Sequence, residues 1–176
     1  MEASNTTAKV RRLKHLVNGA WRDGDGSQSE VVSTNPASPS QVVATYRTAD
    51  ESLLDQALDA AQAAQPGWSD IGLIRRGLVL RRSAELLQDR AEELARCMTA
   101  EEGKTLPESR AEIGASIETL YYQAAASRAA DGATFPSSHP DEIIRTVRRP
   151  VGTVAVITPW NFPVQIPVWK IAPAFL

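Results

Sequence analysis

The chain has 176 residues, of which 43% are hydrophobic and 23% are charged, and its net charge is −2. This composition is ordinary for a soluble globular protein with one sizeable core, and interleaved acidic and basic residues argue against nucleic acid as a partner. A single cysteine excludes an internal disulfide, no apolar run is long enough for a membrane, and no secretory signal is predicted, so we expect a cytoplasmic protein.

A polar lead and a set of short strands are predicted at the start of the chain. Residues 1–12 are predicted to be a disordered lead. Residues 15–47 contain short strand-like pieces, with Gly24-Asp-Gly26 and Asn35-Pro36 as turns between them. The run Gln-Val-Val-Ala-Thr-Tyr at 41–46 is predicted to be another extended segment.

Two helices are predicted next. The first begins at Thr48, because Glu51 three residues later completes a capping box, and it ends at Pro66-Gly67. The second runs without a break from about Leu73 to Glu102, where apolar residues recur at three- and four-residue spacing. Gly103 can adopt the left-handed conformation that ends a helix, so it marks the end of the second helix.

A third helix and an exposed strand are predicted before residue 150. Thr105 and Glu108 offer a second capping box, which places the start of the third helix. The apolar face of this helix consists of Ile113, Ile117, Leu120, Tyr121 and Ala124. The segment 141–149 alternates weakly between polar and apolar residues and is predicted to be an exposed strand.

The end of the chain is predicted to form a buried strand, a loop and the start of a helix. The run Val-Gly-Thr-Val-Ala-Val-Ile at 151–157 is almost continuously apolar, as in a parallel strand buried on both faces. The loop Thr-Pro-Trp-Asn-Phe-Pro at 158–163 follows, and ligands gather at this end of the strands in open α/β sheets. A crossover helix is predicted to begin within residues 164–176.

Asn161 is the strongest candidate for a functional side chain. It is the single side-chain amide in the loop and lies between Trp160 and Phe162. An amide donor held by bulky neighbours suits an oxyanion hole, because it needs no reorganisation when negative charge develops. The alternative is that Asn161 caps the following helix, with Pro163 near the helix start.

Several motifs resemble those of the NAD(P)-dependent aldehyde dehydrogenase superfamily. The most specific is Ile-Thr-Pro-Trp-Asn-Phe-Pro at 157–163, followed by Trp-Lys-Ile-Ala-Pro-Ala at 169–174. Weaker landmarks occur upstream in the order usual for the family. They are Leu16-Val-Asn-Gly-Ala-Trp21, Asn35-Pro-Ala37, Trp68 with Arg75-Arg76, Glu102-Gly-Lys104 and Arg149-Pro-Val-Gly152. The resemblance covers about residues 14–176.

The resemblance implies an α/β fold that is the N-terminal part of the aldehyde dehydrogenase fold. Residues 13–136 would supply strands and helices of the cofactor-binding domain, with Trp68 and the two arginines as a structural anchor for helix packing and ion pairs. Residues 137–149 would be the strand segment through which relatives form homo-oligomers. Residues 150–176 would contain the first parallel strand of a Rossmann-like domain and the start of its crossover helix.

The resemblance also implies a reaction. In the family a cysteine thiolate attacks the aldehyde, the amide matching Asn161 donates to the alkoxide, hydride passes to NAD or NADP, and glutamate-activated water releases the acid. Lys170 would support the catalytic groups, with a solvated surface lysine as the alternative. The resemblance implies that four residues would lie along the dinucleotide: Ile157, Thr158, Pro159 and Trp160. The alternative is that they only pack at the end of the strand. The isolated His15 and His139 predict no metal site.

Three family motifs are missing from the chain: Gly-Gln-x-Cys at the nucleophile, Glu-Leu-Gly-Gly at the base and Lys-Pro-x-Glu at the cofactor. Cys97 is predicted to be a buried structural cysteine, and Glu102 and Glu112 are predicted to be solvated or capping residues. We therefore expect a truncated aldehyde dehydrogenase, inactive alone, whose residues 169–175 resemble semialdehyde-oxidising members, including 2-oxoglutarate semialdehyde types. A non-catalytic protein that associates with intact relatives is the alternative.

Overall fold

The computed structural model describes residues 10–26, 30–129 and 132–176. Its strands are β1 (Arg11–Arg12), β2 (His15–Val17), β3 (Ala20–Arg22), β4 (Val31–Asn35), β5 (Ser38–Tyr46), β6 (Thr134–Phe135) and β7 (Ile144–Arg145). Its helices are α1 (Glu51–Asp70), α2 (Leu73–Asp89), α3 (Ala91–Glu102), α4 (Leu106–Ala126) and α5 (Gln165–Phe175). The fold is therefore mixed helix and sheet. Within these described ranges no helix is both long and apolar enough to cross a membrane.

The strands form three small sheets. The largest has the order β1-β5-β4, with β1 parallel and β4 antiparallel to β5. β2 and β3 form a hairpin that closes at Asn18 and Gly19, whose positive φ angles of 48° and 73° match a two-residue hairpin turn. The strand at Arg11–Arg12 lies inside the segment 1–12 that was predicted to be disordered, and residues 1–9 of that segment lie outside the described residues.

The first helix differs from the prediction at both ends. Its cap is Asp50, whose carboxylate accepts a hydrogen bond from Leu53 N at 2.8 Å, so the predicted cap at Thr48 is wrong. The helix also continues through Pro66 to Asp70. A proline inside a helix removes one backbone hydrogen bond, and the turn after Pro66 is held by a tertiary hydrogen bond from Trp68 to Phe175.

The predicted second helix is two helices. Arg90 adopts φ −110° and ψ 12°, outside the helical region, and it separates α2 from α3. Both halves pack against α4, so the bend keeps two successive apolar stripes on the same neighbour. The predicted stop at Gly103 is confirmed, since this residue has φ 90°, and the predicted capping box of Thr105 and Glu108 is confirmed at the start of α4.

The core lies where α2, α3, α4 and α5 meet. Its buried residues are Leu80, Ala84, Ala95, Met98, Ile113, Ile117, Leu120 and Ala172. The three alanines have no exposed surface, which indicates that the helices approach one another closely at these positions. The apolar stripes that predicted the second and third helices are thus the faces that build the core.

The segment 151–157 forms no strand, contrary to the sequence prediction. Its residues are exposed, including 91% of Val151 and 95% of Ile157. A parallel strand needs hydrogen-bonded neighbours on its edges, and no strand in the described part of the chain pairs with this segment. The predicted exposed strand at 141–149 is present only as β7, which pairs with β6.

Candidate functional site

The turn 158–164 leads directly into α5 and contains Asn161. Asn161 is not the cap of this helix, because the cap position is Val164 and no side chain of the turn binds the first N–H groups. Instead Glu112 on α4 accepts hydrogen bonds from Val164 N at 2.9 Å and from Gln165 N at 3.1 Å. The geometry therefore removes the helix-cap alternative for Asn161 and assigns the capping role to Glu112.

Glu112 is a buried carboxylate with hydrogen bonds to both oxygens. Its side chain is only 1% exposed, so the predicted solvated role is wrong and the predicted capping role is the one that Glu112 has, at the start of α5. Oε1 binds the two amides, and Oε2 accepts a hydrogen bond of 2.5 Å from Lys104 Nζ. The sequence did not show which helix Glu112 caps, because the amides lie 52 and 53 residues further along the chain.

Lys104 connects this carboxylate to the turn. Its ammonium donates to the backbone oxygen of Asn161 at 3.0 Å and lies 3.1 Å from a carboxylate oxygen of Glu102. It also lies 4.7 Å from the centre of the Phe162 ring. Burial works to lower the pKa of Lys104, but hydrogen bonds to Glu112 and Glu102 outweigh it and the pKa is raised overall. Lys104 is therefore charged at neutral pH.

The side chain of Asn161 is free although its backbone is held. Among the described residues nothing hydrogen-bonds to the Asn161 amide, and the residue is exposed. The amide can thus donate to a ligand without first breaking an internal bond. The turn therefore presents an unbonded side-chain amide to a ligand, while the backbone carbonyl of the same residue is bound by Lys104.

The other predicted site residues are mostly exposed around the turn. Ile157 is 95% and Trp160 77% exposed, Pro159 is exposed and Thr158 is half-buried. Lys170 is exposed at the middle of α5, and in the described part of the chain it has no ion-pair partner. The structure thus brings Trp160 and Asn161 together in one turn and does not show a contact between Lys170 and Asn161.

A cavity of about 620 Å³ lies beside the turn. It is lined by Ser33, Thr34, Pro36, Leu94, Cys97, Met98, Glu101, Glu102, Trp160, Pro163 and Val164. Cys97 borders this space and is half-buried, so it is less buried than the sequence predicted. Asn161 and Lys170 do not line the cavity. Over the described ranges, no group of three or more His, Cys, Asp or Glu residues could hold a metal ion.

Motifs far apart in the sequence meet around this turn. Lys104 of Glu-Gly-Lys contacts Asn161, and a Cβ on the neighbouring Gly103 would lie 2.6 Å from Pro36 of Asn-Pro-Ala. Trp68 packs on Phe175 at the far end of α5, which confirms its predicted role in helix packing. The ion pairs predicted for Arg75 and Arg76 are not formed with any described residue.

Comparison with known proteins identifies related sequences. The profile described as "Aldehyde dehydrogenase family" matches residues 21–176. The chain is 42% identical over 163 residues to the alpha-ketoglutarate semialdehyde dehydrogenase of Haloferax volcanii, covering 92% of this chain and 33% of that protein. It is 37% identical over 165 residues to the alpha-ketoglutaric semialdehyde dehydrogenase of Bacillus subtilis, covering 92% and 33%. The chain thus spans about a third of the length of these curated relatives.

Solved structures give the same relationship. The NAD-dependent aldehyde dehydrogenase of Sinorhizobium meliloti superposes with a TM-score of 0.90 at 30% identity, over 98% of this chain and 34% of that chain. A 3,6-anhydro-L-galactose dehydrogenase in complex with NAP superposes with a TM-score of 0.84 at 31% identity, over 94% and 34%. The chain therefore has part of the fold that these structures share.

Proposed function

The chain belongs to the aldehyde dehydrogenase family, and on that premise we propose that it supplies the oxyanion-binding amide of an NAD(P)-dependent semialdehyde oxidation. The observation that carries the proposal is the turn at Asn161, where the backbone is held by Lys104 and the side-chain amide is free. The held backbone fixes where the side chain starts, and the amide has no internal hydrogen bond to break before it donates to developing negative charge.

The proposed role of Asn161 is to stabilise an alkoxide. When a cysteine thiolate attacks the aldehyde carbon, a carbon–sulfur bond forms and the carbonyl oxygen takes up the negative charge. Asn161 Nδ2 donates a hydrogen bond to that oxygen. Collapse of this adduct releases a hydride, and water then displaces the sulfur to give the carboxylic acid. NAD or NADP, when bound, supplies the acceptor for the hydride.

Residues 157–160 fit a surface for that cofactor. Ile157 and Trp160 expose most of their apolar surface immediately before Asn161, and the preceding segment pairs with no described strand. Apolar side chains beside available backbone groups suit a ligand with both a flat ring and polar ribose atoms. We propose that Ile157, Thr158, Pro159 and Trp160 contact the dinucleotide, and that the exposed Lys170 is a supporting cation near the catalytic groups.

The nucleophile and the general base are proposed to come from sequence that these 176 residues do not contain. The one cysteine, Cys97, lies in Ala-Arg-Cys-Met on α3 and borders a cavity to which Asn161 does not contribute. We therefore propose that the chain alone does not oxidise aldehydes. The names of the similar proteins support a semialdehyde, of the 2-oxoglutarate type, as the substrate class.

The proposed setting of the enzyme is the cytoplasm, as a homo-oligomer. The exposed apolar residues around β7, including Ile143 and Val147, support an association surface in this part of the chain. The same exposed residues favour the alternative function, a non-catalytic protein that associates with intact relatives. The enzymatic function and the non-catalytic function are distinguished by whether the chain can complete an active enzyme.

The test is a fusion in which this chain replaces the matching third of the Bacillus subtilis relative. We expect the fusion to reduce NAD or NADP in the presence of 2-oxoglutarate semialdehyde, while the 176-residue chain forms no reduced cofactor. A fusion that folds and binds cofactor but shows no turnover would support the non-catalytic alternative. Turnover by the chain alone, lost in Cys97→Ala, would show that Cys97 is the nucleophile and that our proposal is wrong.

A further inference from the structure

We propose that Lys104 and Glu112 are positioning residues that fix the turn carrying Asn161. Glu112 holds the start of the helix after the turn, and Lys104 holds the carbonyl group of Asn161 itself. We call these contacts of Lys104 and Glu112 the clamp. Only its consequence for catalysis rests on the proposed function, and the contacts themselves can be measured in the 176-residue chain.

The first step of the argument is that α5 lacks a cap of its own. The cap residue, Val164, has no side-chain acceptor, and Pro167 in the first turn has no N–H. The N–H groups of Val164 and Gln165 both bind Glu112 Oε1. A carboxylate from another helix thus satisfies the helix start, and its negative charge also interacts favourably with the helix dipole.

The second step is that Lys104 couples this cap to Asn161. Its ammonium binds Glu112 Oε2 and the Asn161 carbonyl oxygen, while the ring of Phe162 lies beside it. A buried carboxylate without a counter-charge is costly, so Glu112 needs this cation. One ammonium therefore serves both purposes, and loss of Lys104 releases the turn and leaves the cap uncompensated.

The third step separates positioning from a purely structural ion pair. Replacing a buried ion pair by apolar side chains of similar volume is often neutral for stability. A change in the free energy of unfolding is therefore a poor measure of this pair. A positioning role predicts instead that the turn itself responds, at the amides of Val164 and Gln165 and at the side chain of Asn161.

The experiment is amide hydrogen exchange and two-dimensional NMR on the isotope-labelled 176-residue chain. The variants are Glu112→Gln, Lys104→Met and Lys104→Arg, with Glu118→Gln as the matched control, because Glu118 lies exposed on the same helix. We expect exchange at Val164 and Gln165 to accelerate about tenfold or more in Glu112→Gln, which loses charge-assisted hydrogen bonds. We expect the Asn161 side-chain signals to move in Lys104→Met and to return towards their original positions in Lys104→Arg.

A second variant keeps the test decisive where a single substitution does not fold. Lys104→Met with Glu112→Leu removes both charges together and leaves no uncompensated ion in the core. We expect this double variant to fold with accelerated exchange at Val164 and Gln165. Unchanged exchange and unchanged Asn161 signals in a folded variant would overturn the clamp, whatever the fusion enzyme shows about the role of Asn161 in catalysis.

Discussion

Trp68 Nε1 donates a hydrogen bond of 3.0 Å to the backbone oxygen of Phe175, and the two aromatic rings meet edge to face with centroids 5.6 Å apart. This contact joins the last turn of α1 to the last turn of α5 across 107 residues of sequence. Since Glu112 holds the other end of α5, the helix that follows the Asn161 turn is fixed at both ends. The landmark Trp68 thus contributes to the site by anchoring the helix on which the turn depends.

Trp68→Phe should lower the free energy of unfolding by about 1 kcal/mol, because it keeps an aromatic ring and removes one hydrogen-bond donor. Urea denaturation followed by circular dichroism measures this change. Trp21→Phe is the matched control, since Trp21 is exposed on β3. Equal effects of the two substitutions would show that the bond to Phe175 contributes nothing to stability.

A pH-dependent contribution to stability is expected from Glu92. A hydrogen bond from Arg110 lowers the pKa of Glu92 from 4.5 to about 2, with smaller contributions from the charges of Arg110 and Arg96. Because the folded-state pKa is depressed, the stabilisation is present above pH 4.5 and is lost as the pH falls towards 2. The side chains are half-exposed, so added salt should weaken the effect.

The measurement is the melting temperature of the wild type and of Glu92→Gln between pH 7 and pH 3. We expect the variant to be less stable than the wild type at neutral pH and the difference to shrink as the pH falls. Glu118→Gln, which removes an exposed carboxylate from α4, should show no such convergence. A constant difference across the pH range would mean that the bond to Arg110 is not formed in solution.

Local sequence signals predicted local structure well. The capping box at Thr105 and Glu108 and the stop at Gly103 involve residues within one turn of each other, so the sequence contains all the information that these features need. The apolar stripes of the long helices likewise report which face is buried. The break at Arg90 was missed because periodicity does not show how far a helix can follow its neighbour.

Features that depend on distant partners could not be predicted. Glu112 is distinguished from a surface glutamate only by amides 52 and 53 residues later, and the helix through Pro66 is supported by a contact with Phe175. The segment 151–157 has the composition of a buried strand, but a strand also requires a hydrogen-bonded neighbour. The composition of this segment thus indicates a preference for burial. The segment forms a strand only where neighbouring strands are present to pair with it.

The exposed apolar residues before the turn should make the chain prone to aggregation. We expect Val151→Ser with Val154→Ser to raise solubility and to reduce binding of an apolar dye, since both side chains are exposed. The melting temperature should change little, because neither residue lies in the core. Deleting residues 150–176 should instead destabilise the chain, since that segment includes Ala172 of the core. Dye binding that is unchanged in the double variant would place the aggregating surface elsewhere.

Asn161→Ala tests the central assignment in the fusion with the Bacillus subtilis relative. We expect the rate of the first turnover to fall by about a hundredfold or more, the usual effect of losing one oxyanion donor. Cofactor affinity, measured by fluorescence titration, should change little because the amide is proposed to face the substrate oxygen. Asn161→Asp should be slower still, since a carboxylate would oppose the developing alkoxide. A normal first turnover combined with a loss of about 1 kcal/mol in stability would mean that Asn161 has a structural role, and the oxyanion assignment would be wrong.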